Sequence, residues 1–311
     1  MTLLHKLWQE KYRPTEVEDY LFQNKAQKSK FLKMILDQSI PHLLLSGVQG
    51  TGKTSLAWLL MKQIGVDEDD ILVIDCSLTT SVDVVRNDID CFIKQFPTGD
   101  FRVVLMEEAD QFTPAAQKAL KVTLEEYADV VRFIFTTNHE QKILPAIKSR
   151  CTHARFKAHN VPQVTNLCMN ILEAEGMLYD PDEVDKYIAL CYPDIRKTIG
   201  MLQDNCPNGK LLPASDSTSE NSDYKYKMLE MIESDAWDQL RIEVLPSIAT
   251  EEWDDAYRFL YENIHRSPKM VEDVANMKQA VVAIAEYLYR HSFFADPIIN
   301  ASALMIRISD I

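Results

Sequence analysis

The run Gly47-Val48-Gln49-Gly50-Thr51-Gly52-Lys53-Thr54 constrains this chain more than any other stretch. It follows the apolar run His42 to Ser46, which reads as a buried strand, and precedes Ser55 to Ile64, whose apolar residues recur with helical period. Strand, glycine-rich turn and helix in that order make a phosphate cradle. Glycines let successive N–H groups curl round an anion, and the helix N-terminus adds positive partial charge. Lys53 reaches toward β- and γ-phosphates, and the Thr54 hydroxyl is a ligand for Mg²⁺.

Short apolar runs recur beyond it. Ile71 to Asp75, Arg102 to Met106 and Arg132 to Thr137 read as further buried strands, alternating with amphipathic segments such as Leu56 to Ile64 and Ala115 to Tyr127. Strands buried on both faces and joined by helices form a mostly parallel sheet. The strand Val103 to Met106 ends in Glu107-Glu108-Ala109-Asp110. At that place a phosphate-loop ATPase needs one carboxylate for the Mg²⁺ shell and one to orient or deprotonate the attacking water, although a solvated acidic turn can follow any strand. The strand Phe133 to Thr137 ends at Asn138, within reach of a γ-phosphate in such a sheet, although a strand-end Asn also serves as a turn former.

From Val161 onward the strand signal fades. Gln163 to Glu175, Asp182 to Cys191 and Ile195 to Asp204 read as three helices, with Pro162, Pro181 and Pro193 in their first turns. Residues 208–222 are rich in Ser, Asp, Asn and Pro, as in a linker, and the chain after Tyr224 is helical, with an apolar stripe from Met270 to Tyr289. The expected fold class is therefore α/β plus all-α. Its domains are a nucleotide-binding domain at 1–160, a helical unit at 161–209, a linker at 210–222 and a second helical unit at 223–311.

Charge separates the two halves. Residues up to 160 carry 20 basic against 21 acidic side chains, and those beyond carry 13 against 26, so nearly all of the net −14 lies in the second half. Nucleic-acid binding rests on neutralised phosphates, which leaves only the first half as a candidate surface. The six cysteines form no Cys-x-x-Cys pair and read as reduced thiols rather than a zinc ribbon or disulfide framework. No apolar run approaches the roughly 18 residues of a membrane span. The opening segment is too charged for a signal peptide, so a cytoplasmic chain is expected.

These motifs together resemble a known family. Glu10-Lys11-Tyr12-Arg13-Pro14, the phosphate loop, Glu107 to Asp110, Thr136-Thr137-Asn138, Ser149-Arg150-Cys151 and Pro193 to Gly200 stand in the order found in the AAA+ sliding-clamp loaders. They are most similar to the large subunit of T-even-type bacteriophage loaders, itself like the small subunits of replication factor C. The resemblance implies an AAA+ ATPase domain, a three-helix lid and a helical oligomerisation collar. It implies ATP and Mg²⁺ as ligands, and hydrolysis coupled to opening a clamp and loading it on primer-template DNA. It also implies partners: the clamp, the DNA, copies of this chain and a second, smaller subunit, in the bacterial host cytoplasm, with no membrane.

Carried over by position, the resemblance implies that Tyr12 and Arg13 lie against adenine. Gly47, Gln49, Gly50, Thr51, Gly52, Lys53, Thr54 and Ser55 hold phosphates, and Thr54 and Glu107 hold the metal. Glu108 is implied as the catalytic carboxylate, Asn138 and Arg196 as sensors, and Arg150 as a finger acting on a neighbouring subunit's ATP. The family's metal acid is usually Asp, so the longer Glu107 is a departure bearing on rate. Thr79, Thr80, Arg86 and Lys121 are implied DNA contacts, with Gln117 and Lys121 coupling the DNA-facing helix to Glu108. Ile89, Phe92, Ile93 and Phe96 form a helical stripe implied to dock on the clamp, although such a stripe equally suits a core face. Two other classes fit the phosphate loop: a helicase loader or remodelling ATPase, and an ATP-gated scaffold that does not hydrolyse.

Overall fold

A computed structural model describes residues 7–78, 83, 85–214, 224, 227–228, 232, 237–248, 252–264, 274–291 and 296–309. Five strands, β1 (Leu43–Gly47), β2 (Ile71–Asp75), β3 (Arg102–Glu107), β4 (Val131–Thr137) and β5 (Thr152–Phe156), form one sheet in the order β2-β3-β4-β1-β5. All four pairings are parallel. Because side chains alternate along a strand, the apolar runs feed two cores. Leu43, Leu45, Val103, Leu105 and Ile134 pack with Leu56 and Leu60 of the helix Lys53–Ile64 on one face. Leu44, Val104, Met106, Phe133 and Phe135 pack with Ala116, Leu120 and Leu124 of the helix Pro114–Glu126 on the other.

Four of these strands match the expected runs to within a residue or so at each end. β5 was not anticipated from sequence. Its residues Thr-His-Ala-Arg-Phe lack the apolar continuity of a central strand because it is an edge: it pairs only with β1, and Arg155 is exposed. The edge is clipped by Glu140, which accepts Arg155 Nε at 2.8 Å and the Ser46 hydroxyl of β1 at 3.0 Å.

The Ile89 to Phe96 stripe requires a correction. Ile89 (0% exposed) and Ile93 (4%) belong to the core under β3 and β4, so they are not available to a partner. Phe92 is half-buried beneath the Arg102 guanidinium, 4.6 Å from its ring centroid, and only Phe96 of the four stands in solvent. Arg102 fixes this segment by donating to Phe92 O (2.6 Å) and Phe96 O (3.0 Å), and the buried Asp70 lies 3.1 Å from its Nε.

Three helices follow the sheet: Val161–Ala174, Pro181–Cys191 and Ile195–Asp204. Pro162 and Pro181 sit in first turns as expected, since a proline there gives up an N–H that has no helical partner. Pro193 does not. It precedes the third helix, and Asp194 caps that helix instead, its carboxylate accepting Lys197 N at 3.0 Å.

The chain divides into two compact units, Met1–Gln203 and Asp204–Ile311. In the second, the helices Trp253–Asn263, Val274–His291 and Pro297–Ser309 enclose Trp253, Tyr257, Leu260, Ile284 and Leu304. Asn300, 1% exposed, donates to Tyr257 Oη at 2.8 Å and Tyr287 O at 2.9 Å. Most of the linker at 210–222 lies outside the described residues, as does the start of the Met270 to Tyr289 stripe. Among the described residues no helix is long and apolar enough to cross a membrane.

Candidate active site

A cleft of about 250 Å³ opens at the carboxyl ends of β1, β3 and β4, the place where parallel sheets bind ligands. Of the residues expected to hold nucleotide, Tyr12, Arg13, Gln49, Gly50, Thr51, Gly52, Lys53, Thr54, Ser55 and Arg196 all line it, together with Glu108 and Asn138. Gly47 does not line it. Its role is steric, because a Cβ at this position would collide with the Phe156 carbonyl of β5. Gly50 is equally constrained, at φ +72°, with the Asp194 side chain standing where a Cβ would be.

The loop turns into the helix Lys53–Ile64 through Gly52 in the left-handed region. Lys53 is buried at that junction and donates to Gly47 O at 2.9 Å and Val48 O at 2.7 Å. Burial pushes its ammonium down to about 8, against the opposing charges of Asp110, Asp194 and Glu108. The floor of the loop is held by two side chains that the sequence did not single out. Tyr20 Oη donates to Thr51 O at 3.1 Å, and His159 Nε2 lies 3.3 Å from the same carbonyl. A carbonyl only accepts, so His159 Nε2 carries the hydrogen, and burial holds its imidazole below the ordinary value. The His159 carbonyl in turn accepts Tyr192 Oη at 2.8 Å, linking the loop to the turn that carries Asp194 and Arg196.

The acidic end of β3 is built unevenly. Glu108 is exposed to the cleft with φ +51° and ψ +43°, a left-handed backbone that a non-glycine residue rarely adopts and that clusters at functional sites. Glu107 is not among the residues that line the cleft and stands in register with Asp75 of β2. Burial, then the Asp75 charge, push its carboxyl up, and Arg13 and Arg196 oppose the rise. Asp110 is buried and accepts the Thr137 hydroxyl at 2.7 Å and Asn138 N at 3.2 Å. It thereby fixes Asn138 against the end of β3, a duty its place in Glu107 to Asp110 gave no sign of.

Other expected site residues lie apart. Arg150 is half-buried outside the cleft, donating to Ala146 O at 2.6 Å and pairing with Glu125. Gln117 is buried, but its bonds run to Phe112 O (2.9 Å), Lys142 O (3.3 Å) and Leu144 N (2.8 Å). It joins the segment after β3 to the one after β4, and none of these bonds runs to Glu108 itself. Lys121 is half-buried on the helix Pro114–Glu126. Thr79, Thr80 and the Arg86 side chain lie outside the described residues.

The glycine cradle, the buried lysine and the adjacent hydroxyl fit a nucleoside triphosphate. Among the described residues no three His, Cys, Asp or Glu gather as a metal cage.

Comparison with known proteins bears on the same residues. Residues 43–158 match the ATPase family associated with various cellular activities (AAA). A replication factor C small subunit of Methanocella arvoryzae is 32% identical over 72% of this chain and 71% of its own length. That of Picrophilus torridus is 29% identical over 97% of each. Among solved structures, a Thermotoga maritima RuvB variant covers 81% of this chain and 91% of its own at a TM-score of 0.60 and 13% identity, a likeness of fold. The chain is an AAA ATPase that belongs to the replication factor C small-subunit family.

Proposed function

We propose that this ATPase is a subunit of a sliding-clamp loader, working beside copies of itself and a smaller subunit to open a ring clamp and place it on primer-template DNA. The three helices after β5 serve as its lid and the unit Asp204–Ile311 as its oligomerisation collar. The motif resemblance extends the reading to a T-even-type phage replicating in a bacterial cytoplasm. One observation carries the proposal beyond ATP hydrolysis. Arg150 of Ser149-Arg150-Cys151 stands outside the cleft of its own chain, while the phosphate loop, Glu108, Asn138 and Arg196 line it.

In this mechanism Tyr12 and Arg13 flank the base, and the N–H groups of Gly50 to Thr54 bind the phosphates with Lys53. Thr54 and Glu107 would hold Mg²⁺, which would supply positive charge to offset that of the phosphates. Glu108 orients and takes a proton from the attacking water, and Asn138, held by Asp110, steadies that water from β4. Arg196 meets the γ-phosphate from the lid. Arg150 stabilises charge in the neighbouring subunit's site, a contribution of about 10³- to 10⁵-fold when supplied in trans. DNA contacts by Thr79, Thr80, Arg86 and Lys121, and clamp contact by Phe96, complete the reading.

The test measures phosphate release with and without primer-template DNA and clamp. Joint stimulation is expected of a loader, whereas a remodelling ATPase would ignore the clamp and a scaffold would show no turnover. Arg150→Ala should bind ATP normally as a monomer and lose stimulated turnover. Mixed with Lys53→Ala subunits it should regain part of it. Mixed complexes that form and stay inactive would place Arg150 in its own subunit's service and remove the main support for the reading.

A further inference from the structure

The wall of the cleft is divided between two bodies. Residues 17–22 belong to the sheet: Val17, Tyr20 and Phe22 pack in the core with Leu43 and Leu45. Residues 8–12 attach instead to the helices after β5. Trp8 N donates to Gln203 Oε1 at 2.8 Å, and Gln9 lies against Gly200, where a Cβ would collide with its amide. Lys11 Nζ and Tyr12 Oη both donate to Glu175 Oε1, at 2.5 and 2.8 Å. Residues 13–16 cross from one body to the other, and Tyr12 and Arg13 face Tyr20 and Leu21 in the cleft lining.

Glu175 occupies a place that electrostatics disfavours. It caps the C-terminus of Val161–Ala174, its N–H bonding Ile171 O at 3.0 Å, where the helix dipole repels an anion. Its side chain is 17% exposed, which leaves part of that charge unscreened. The Lys11 ammonium offsets both penalties. Lys11, then burial in the opposite sense, then Tyr12, set the carboxyl below its ordinary value, so it is an anionic acceptor at neutral pH. No helix-stabilising purpose accounts for a carboxylate there.

We propose that Glu175 is a positioning residue for the nucleotide base. It ties Lys11 and Tyr12 to the three-helix group, so that the Tyr12 ring forms the base-side wall and that wall travels with Arg196. The inference rests on the cleft being a nucleotide site, and its test separates the two. Affinity of the full chain is measured for ATP and for inorganic tripolyphosphate, which has phosphates and no base.

Glu175→Ala should weaken ATP by about tenfold, the scale of a lost hydrogen bond to a charged group, and leave tripolyphosphate unchanged. Tyr12→Phe should reproduce the ATP loss. The double variant should be no weaker than Glu175→Ala alone, because that substitution already removes the Tyr12 bond. Glu175→Gln keeps an oxygen for Tyr12 Oη and should recover most of the loss. Native ATP affinity in Glu175→Ala, equal losses for both ligands, additive losses in the double variant, or no recovery by Gln would each overturn the proposal. Should the native chain bind neither ligand, the nucleotide reading itself falls, a result distinct from any of these. If Glu175→Ala fails to fold, Tyr12→Phe alone decides between selective loss and none.

Discussion

The cleft and the Asp204–Ile311 unit bury polar groups for different ends. In the second unit they serve packing: Asn263 returns a hydrogen bond to Phe259 O one turn back, and Asn300 ties Tyr257 to Tyr287. Around the cleft, Lys53, Asp110 and His159 are each buried on the backbone or hydroxyls of a loop that faces outward. A buried polar group costs free energy unless it is paired, and each of these side chains makes at least one hydrogen bond. What differs is what the pairing holds still. One set fixes helices against each other, and the other fixes strand ends against an opening.

The sharpest way to break this contrast is Lys53→Ala. Phosphate release by the assembled complex should fall about 10³-fold, since a buried cation in the phosphate loop has no substitute there. Normal turnover would mean that the cleft is not where ATP is cleaved. Next in size is a pair within the first unit. Ile89→Ala should lose about 2–5 kcal/mol in chemical denaturation, and Phe96→Ala should stay within about 0.5 kcal/mol. Equal losses would return Phe96 to the core.

Asn300→Ala tests the other side. It leaves the Tyr257 hydroxyl without its partner and should cost about 1–3 kcal/mol of stability, with ATP affinity unchanged. A large loss of affinity would show that the second unit shapes the cleft. The smallest expected effect is that of pH. Burial pushes the Lys53 ammonium down to about 8, and in the proposed function its charged form binds phosphate. ATP affinity should therefore be flat below pH 8 and fall about tenfold for each unit above it. Affinity that stays flat to pH 10 would mean that Lys53 keeps its proton throughout, and the cost of its burial would have been overstated.

The same contrast explains what could be read without coordinates. The phosphate loop and the ends of β3 and β4 are visible because chemistry dictates both residue types and spacing there, and the strands behind them because burial on both faces leaves unbroken apolar runs. β5 was missed because an edge strand is free to be polar. The stripe from Ile89 to Phe96 has a true helical period, but a period states that a face is apolar and not what covers it. Asp70 and Arg102, Tyr20 and His159, and Glu175 were unreadable for a common reason: their partners lie far along the chain, so nothing local distinguishes them from ordinary surface charges or core aromatics.

The close approach of Gly47 to Phe156 has a consequence for synthesis. A ribosome delivers the phosphate loop early and β5 more than a hundred residues later, yet the loop's first residue is packed against the β5 backbone, and Ser46 beside it is clipped by Glu140 to the same strand. Ala154 and Phe156 tie β5 into the core with Leu43 and Leu45, so the strand's backbone has little room to move away from the loop. A nascent chain ending before Thr152 would hold the complete phosphate motif without the strand that shapes it. ATP binding should then be among the last properties the sheet acquires, and a chain ending before Thr152 should bind ATP more weakly than one that includes β5.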